Sequence, residues 1–297
     1  MDLRPFARDD VPWAAALLAS RPLRHPLAAP PDAAREIEAL LDAGATGWAA
    51  PGGYALGLVD ADAGWLRYAG HCARDVATYR HLYAAVSRDL VAAGALRHAV
   101  EMPDGDPVAG EAFANLAFGR EHVFALASMD AQPVEGEPDA RVRVGSLDDY
   151  DALLPLFPLL ARHLAEPACW SPRPEAYFET LPALFREDMD SPDVTYLVAE
   201  AGGEPVGFAT WEPLPARICV AEGAWALGHM VLREDARGLG LGAAMTLRGL
   251  TIGRERGFDV SWTDWRLTNL SAEPRWRTYG WAPYMVRMTR RLEPGVS

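Results

Sequence analysis

The sequence predicts an α+β fold in two halves that repeat one order of elements. Short apolar strand candidates alternate with amphipathic helix candidates in both halves. A polar, proline-containing stretch at 130–140 has the composition of a linker. The length of 297 residues suits two domains of about 150 residues each. We therefore predict domains at 1–129 and 141–297, joined by that linker and related by internal duplication.

The first half opens with a strand and a helix that begins near Asp9. Ile37, Leu40 and Leu41 share one face of a second helix. The predicted strands are 3–6, 46–50, 54–59, 65–68, 97–102 and 122–128, and the later helices are 31–43, 77–93 and 108–118.

The second half repeats this order. Ser146 is a predicted N-cap, with acidic residues in the first turn of a helix that runs to about Leu164. The segment 201–204 is a predicted hairpin turn. The predicted strands are 142–144, 194–200, 205–211, 225–232, 258–263 and 283–291, and the later helices are 172–186, 239–256 and 270–278.

The composition excludes several classes of protein. All 28 basic residues are arginine, so the lysine of a P-loop NTPase, a PLP enzyme or a protein kinase is missing. The net charge of −13 argues against general nucleic-acid binding and is compatible with a cationic substrate. No apolar run reaches the ~18 residues of a membrane span, and the N-terminal residues lack the apolar core of a signal peptide.

The cysteine and histidine spacings suggest neither a disulfide framework nor a metal site. Cys72, Cys169 and Cys219 are scattered and odd in number, and the histidines show no i, i+4 pairing. We expect a cytoplasmic monomer or homodimer without a metal, a nucleic-acid partner or a membrane anchor.

One segment carries recognisable chemistry. A strand ends near Leu232, and Arg237 then begins an Arg-Gly-x-Gly-x-Gly run that leads into a helix. Glycines at alternate positions leave no Cβ over the loop, so backbone amides there and at the helix N-terminus can converge on an anion. Arg237 adds a fixed cation suited to phosphate oxygens. The segment therefore predicts a pyrophosphate site that needs no lysine.

Two other interpretations of this segment exist. The glycines could simply pack a helix against a sheet. Alternatively, Gly238, Gly240 and Ala243 fit the dinucleotide pattern G-x-G-x-x-G/A, with Asp264 at the end of the next strand. Several residues separate Leu232 from Gly238, and little chain remains for a parallel sheet, which counts against a dinucleotide-dependent oxidoreductase.

These residues resemble the GNAT superfamily of acyl-CoA-dependent N-acyltransferases. The family's strand, Arg/Gln-x-x-Gly-x-Gly/Ala loop and helix are matched by Arg237, Gly240 and Gly242. Its second signature, an Asn after the next strand and a helix ending in Gly-aromatic, is matched by Asn269 and Gly280-Trp281. The resemblance covers about 140–297. The first half is more weakly similar through 113–119 and 122–128, so the whole chain resembles tandem-GNAT proteins.

The resemblance implies acetyl-CoA as cosubstrate and a small-molecule or peptide amine as acceptor. The strand before the loop would pair with the pantetheine arm, and one of its amides would polarise the thioester carbonyl. The residues that the resemblance assigns to acetyl-CoA are Met230, Val231, Leu232, Arg237, Gly238, Leu239, Gly240, Leu241, Gly242, Ala243 and Asn269.

The first half lacks the loop signature. Residues 69–75, where the loop would lie, contain no Gly-x-Gly. We interpret this half as a degenerate copy that does not bind CoA, and that buries a face of the active half and walls the substrate cleft.

Attack of an amine on a thioester needs a general base. The candidates are Glu222, His229 and Asp264. Alternation along the strand places His229 on the same face as Leu227 and Val231, where a packed histidine is equally compatible with the pattern. Glu222 precedes this strand, where the family often has a carboxylate, and Asp264 lies at the end of the next strand.

The usual acid of the family is missing. The resemblance places a tyrosine four residues before the glycine of Gly-aromatic, and this chain has Trp276 there. Tyr279 lies on another face of the helix and is not an equivalent. The sequence thus leaves two functions open: an N-acetyltransferase that acts on an amine, or a non-catalytic acyl-CoA-binding regulator.

Overall fold

The computed structural model describes residues 1–61, 63–131, 139–214, 218–220, 223–293 and 295. The chain forms two compact units. The first consists of Met1–Phe124, Ile218–Val220 and Pro283–Ser297, and the second of Ala125–Arg217 and Ala221–Ala282. The predicted α+β class is confirmed, with mostly antiparallel strands and flanking helices in both units.

The elements of the first half follow the predicted order. The strands are β1 (Arg4–Pro5), β2 (Thr46–Ala50), β3 (Gly53–Asp60), β4 (Ala63–Leu66), β5 (His71–Ala73), β6 (Arg97–Pro103) and β7 (Gly119–Ser128). The helices are α1 (Val11–Ala19), α2 (Ala33–Asp42), α3 (Val76–Ala92) and α4 (Pro107–Asn115). The short strand β5 was not predicted from the sequence.

The elements of the second half repeat that order. The strands are β8 (Val142–Val144), β9 (Thr195–Ala201), β10 (Glu204–Pro213), β11 (Ala224–Leu232), β12 (Val260–Arg266) and β13 (Ala282–Arg291). The helices are α5 (Tyr150–Leu153), α6 (Leu159–Ala165), α7 (Glu175–Asp190), α8 (Leu241–Glu255) and α9 (Ala272–Thr278).

The helix predicted to run to about Leu164 is broken into short segments. A 3-10 turn at Leu154–Leu156 separates α5 from α6, and Pro155 and Pro158 fall at the breaks. Proline has no backbone N–H and clashes with the preceding turn, so it ends a regular helix. After the break, α6 lies against β11.

The compact units begin and end at different residues from the predicted domains. In the first unit, β13 pairs antiparallel with β6, with Val286 opposite Met102. The segment Ile218–Val220 also belongs to this unit, where the amide of Ala29 donates to the Cys219 carbonyl at 3.1 Å. Strand pairing is long-range, so a boundary drawn along the sequence cannot reveal it. Residues 132–138 of the predicted linker lie outside the described residues.

The second unit has the sheet order β12-β11-β10-β9-β8, in which only β11 and β12 are parallel. One face carries an aromatic core with Phe157, Phe185 and Phe208, packed beneath α5, α6 and α7. Helix α8 covers the other face, where a Cβ at Gly249 would lie 2.0 Å from the Trp211 ring. The glycine thus allows α8 to pack closely on Trp211, which fixes the helix beside the end of β11.

Candidate active site

Strand β11 separates from its parallel neighbour part-way along its length. Its register with β12 runs from Ala224 opposite Val260 to Ala226 opposite Trp262, and no described residue pair continues it. On its other side, β11 stays paired with β10 as far as Leu232 opposite Gly207. A gap therefore opens between β11 and β12 at the residues that the sequence assigns to the pantetheine arm.

A β-bulge lies at the start of this gap. Ala209 pairs with Met230 and Trp211 pairs with Leu227, so β11 has one more residue than β10 between these pairs. The amide of His229 donates to Thr210 Oγ1 at 2.8 Å inside the bulge. Bulges redirect side chains locally and are frequent near active sites.

The glycine-rich loop presents its backbone amides outward. Gly238 and Gly240 have φ angles of +80° and +83°, and a Cβ at either position would meet no atom within 4 Å. Among the described residues, no acceptor bonds the amides of 238–242, and no side chain caps helix α8. Unpaired amides at a helix N-terminus attract anions. The protein's own side chains leave these amides open, and we call the loop at 238–242 the anion cradle.

Two arginines lie at the cradle. Arg237 is exposed at its start, and Arg275 reaches it from α9, where Nη1 lies 2.6 Å from the position that a Cβ at Gly242 would take. Neither forms an ion pair with a carboxylate of the described residues. Both guanidinium groups are thus available for phosphate oxygens. Arg275 was missed in the sequence, because the side of α9 that faces the cradle depends on tertiary packing.

The cradle and the gap form one cavity of about 440 Å³, a size typical of small-molecule sites. Its lining includes almost every residue assigned to acetyl-CoA: Met230, Val231, Leu232, Arg237, Gly238, Gly240, Leu241, Gly242, Ala243 and Asn269. Leu239 is 48% exposed and does not line the cavity. Leu159 and Leu160 of α6 supply apolar wall on the side of the gap.

Asn269 is held by two hydrogen bonds at this cavity. Its Oδ1 atom lies 3.3 Å from Nε2 of His163 and accepts a bond of 2.9 Å from Ser271 Oγ. His163 comes from α6, more than a hundred residues earlier in the chain. It also lines the cavity, and no local pattern in the sequence pointed to it.

His229 lies on the aromatic face of the sheet. Its ring meets the Phe185 ring edge-on, with centroids 5.4 Å apart. The expectation that it shares a face with Val231 holds, since both contact the core beneath α7. The expectation that it also shares a face with Leu227 is wrong. Leu227 pairs with Trp211, which points to α8, and the bulge reverses the alternation between Leu227 and His229.

The pKa of His229 depends on its burial and on two acidic residues, which act in opposite directions. Burial lowers the pKa of His229, and the negative charges of Asp188 and Asp264 act in the opposite direction. Asp188 lies on α7, one turn after Phe185, and its burial raises its own pKa. A half-buried imidazole with a lowered pKa is neutral around pH 7 and can accept a proton.

The structure shows less about the other candidate bases, Asp264 and Glu222, and about Trp276 at the position of the usual acid. Asp264 is half-buried on β12, and its charge reaches His229. Glu222 lies outside the described residues. Trp276 is buried against Trp281 with its ring edge-on at 5.6 Å, and it lines the cavity where the resemblance has a tyrosine.

The corresponding segment of the first unit is filled by its own side chains. Residues 68–73 are buried, and the Tyr54 hydroxyl donates to the Ala69 carbonyl at 2.9 Å. Arg21 donates to the His71 carbonyl and forms a buried ion pair of 2.7 Å with Asp106.

Comparisons with known proteins agree with this fold. Residues 161–281 match the acetyltransferase (GNAT) family model. A GCN5-related N-acetyltransferase from Sphaerobacter thermophilus is similar to this chain with a TM-score of 0.61 and 16% identity, over 100% of this chain and 97% of that one. A tandem GNAT protein from the clavulanic acid biosynthesis pathway has a TM-score of 0.56 and 16% identity, over 99% of both chains. No curated protein matches the sequence significantly.

Residues 161–281 therefore belong to the GNAT family, and the chain has a tandem GNAT fold. The family's general activity is N-acetyl transfer from an acyl-CoA. The described residues contain no group of side chains that could hold a metal ion. Among them, no helix is both long and apolar enough to cross a membrane.

Proposed function

We propose that the second unit transfers the acetyl group of acetyl-CoA to the amine of a small molecule or peptide. The observation that carries this proposal is the open run of backbone amides at 238–242, which faces a cavity continuous with the gap beside β11. A diphosphate fits the amides and the two arginines, and an extended pantetheine arm fits the free edge of β11.

His229 is the general base of the proposed reaction. Its lowered pKa keeps the imidazole neutral, so it can take the proton of the attacking amine while the new C–N bond forms. The acceptor is expected on the side of the bulge, where the exposed Gly228 lies close to Glu212 Oε1. A carboxylate there favours a cationic amine over an anionic acceptor.

The first unit, in this proposal, is a degenerate copy without a CoA site. Support comes from the buried Arg21–Asp106 pair beside the segment where the loop would lie. Calorimetric titration with CoA tests this directly, because a stoichiometry of two per chain would contradict it.

Two glycines of equal backbone geometry provide the experiment on the cradle. Gly240 and Gly257 begin and follow the same helix, both have φ above +80°, and a Cβ at either would meet no atom within 4 Å. Gly240→Trp and Gly257→Trp should cost similar backbone strain, of about 1–2 kcal/mol. Only Gly240→Trp fills the cradle, so it alone should abolish acetyl-CoA binding. Equal affinity in the two variants would show that the loop is only structural.

A non-catalytic acyl-CoA-binding protein is the second candidate. It is favoured by Trp276, which stands where the resemblance has a proton-donating tyrosine. Release of free thiol from acetyl-CoA with a panel of amines separates the two functions. Tight binding of acetyl-CoA without release by any amine would favour the second candidate.

A further inference from the structure

His163 is the side chain of this cavity whose chemistry allows it to transfer a proton. The ionisable side chains among the described lining residues are His163, Arg237 and Arg275. Arginine stays protonated in proteins and does not transfer protons. An imidazole can both accept and release a proton. Among the described side chains that line this cavity, His163 is therefore the one that can give a proton to a departing sulfur.

The hydrogen bonds of Asn269 fix which ring nitrogen is available. Asn269 Oδ1 accepts from Ser271 Oγ and lies 3.3 Å from His163 Nε2, so Nε2 carries a hydrogen. Nδ1 of His163 makes no hydrogen bond with any described residue. The residue is half-buried, so the ring can regain a proton from solvent. The geometry leaves Nδ1 as the atom that can give a proton to a ligand.

The residue expected to act as acid cannot do so in this chain. The indole of Trp276 can donate a hydrogen bond through its N–H group but does not release that proton. Trp276 and His163 both line the cavity, together with Met230 of the free strand edge. The cavity thus contains an imidazole from α6 as well as the indole that stands where the resemblance has a phenol.

We propose that His163 is the general acid of the reaction and protonates the departing sulfur of CoA. This inference rests on the proposed function. The amine nitrogen bonds to the acyl carbon, and the carbon–sulfur bond breaks. The proton of the amine passes to His229, and the proton on Nδ1 of the His163 imidazolium passes to the sulfur. His229 then releases its proton to solvent and His163 takes one from solvent, so both groups return to their starting states.

His163→Gln tests this because glutamine keeps an N–H donor for Asn269 and removes the titratable ring. We expect kcat for acetyl-CoA and a reactive amine to fall about 100-fold, while the affinity for acetyl-CoA is retained. The pH–rate profile of the variant should also differ from that of the wild type, because glutamine cannot give a proton to the sulfur. His81→Gln is the matched control, since it makes the same change at an exposed histidine of the first unit, away from the cavity. Wild-type kcat or an unchanged pH profile in His163→Gln would overturn the proposal.

A second measurement needs no acceptor. The thiol of bound CoA is titrated by its thiolate absorbance, with the desulfo-CoA complex as blank. An imidazole beside the sulfur can take the thiol proton and pair with the thiolate, so the thiol should ionise at lower pH in the wild-type protein than in His163→Gln. Identical titrations would overturn the proposal. If CoA binds and no amine releases thiol, the transferase function fails while this titration still decides the role of His163. If CoA does not bind, both fail.

Discussion

The amide of His229 donates to the hydroxyl of Thr210 at 2.8 Å, inside the bulge of β11. The extra residue in β11 leaves the amide of His229 without a partner in the ladder between β10 and β11. The Thr210 hydroxyl accepts its hydrogen bond instead. It also holds His229 at the point where β11 leaves β12, with its ring against Phe185. One side chain on the neighbouring strand thus positions the proposed base.

Thr210→Val removes the hydroxyl at nearly constant side-chain volume, so His229 should be held less firmly in place. The buried amide of His229 loses its partner, so we expect a loss of about 1 kcal/mol in the free energy of unfolding and a several-fold lower kcat. Urea unfolding and steady-state kinetics measure the two effects. Thr210→Ser retains the hydroxyl and should stay close to wild type. A valine variant with full activity would show that the bond does not position His229.

The acidic limb of the pH–rate profile should lie at low pH. Burial lowers the pKa of His229 below the ordinary 6.5, so the base stays neutral and active below that pH. Asp188→Asn removes a negative charge that raises this pKa, and the limb should therefore move to still lower pH. The profile of kcat/KM measures the shift. Glu187→Gln, on the same helix, is the control; an upward shift in Asp188→Asn would contradict the assignment.

The sequence predicts the glycine-rich loop and the helix after it because both are local features. Glycines 238, 240 and 242 and Arg237 lie within one loop, and the helix that follows is fixed by its own apolar face. The bulge is different, since it depends on register with β10. Strand alternation alone therefore predicted, wrongly, that His229 and Leu227 lie on the same face of the sheet. His163 reaches the cavity from another part of the chain, and a pattern in one segment cannot show such a contact.

His71 should make the protein less stable at low pH. His71 is fully buried. Burial, reinforced by the positive charge of Arg21, lowers its pKa to about 3, so the folded protein resists protonation of this ring. The unfolded chain takes up a proton near 6.5 that the folded chain refuses until about pH 3. In this window, the free energy of unfolding should fall by about 1.4 kcal/mol for each unit of decreasing pH from this residue alone.

His71→Gln should remove that contribution. The measured quantity is the slope of unfolding free energy against pH between 6 and 4, from urea titrations. The variant is expected to be less stable at pH 8, because the ring packs against Tyr79 and Phe113, and to have a shallower slope. His81→Gln changes an exposed histidine of the same unit and should keep the wild-type slope. Equal slopes in wild type and His71→Gln would show that His71 binds no more protons in the unfolded chain than in the folded one.

Arg275 and Arg277 provide a matched test of the second cation at the cradle. Both lie on α9, but only Arg275 reaches Gly242, whereas Arg277 is paired with Glu273 on the surface. Arg275→Gln should raise the dissociation constant of acetyl-CoA about 10-fold, because a charged hydrogen bond to phosphate is lost.

Arg277→Gln removes the same charge from the same helix and breaks only an exposed pair, which contributes little. Its affinity for acetyl-CoA should stay close to wild type, so the comparison cancels the general effect of net charge. Calorimetry at two salt concentrations makes the test stricter, since Arg275→Gln should also weaken the salt dependence of binding. Equal losses in both variants would mean that Arg275 acts only through long-range charge and does not contact the diphosphate.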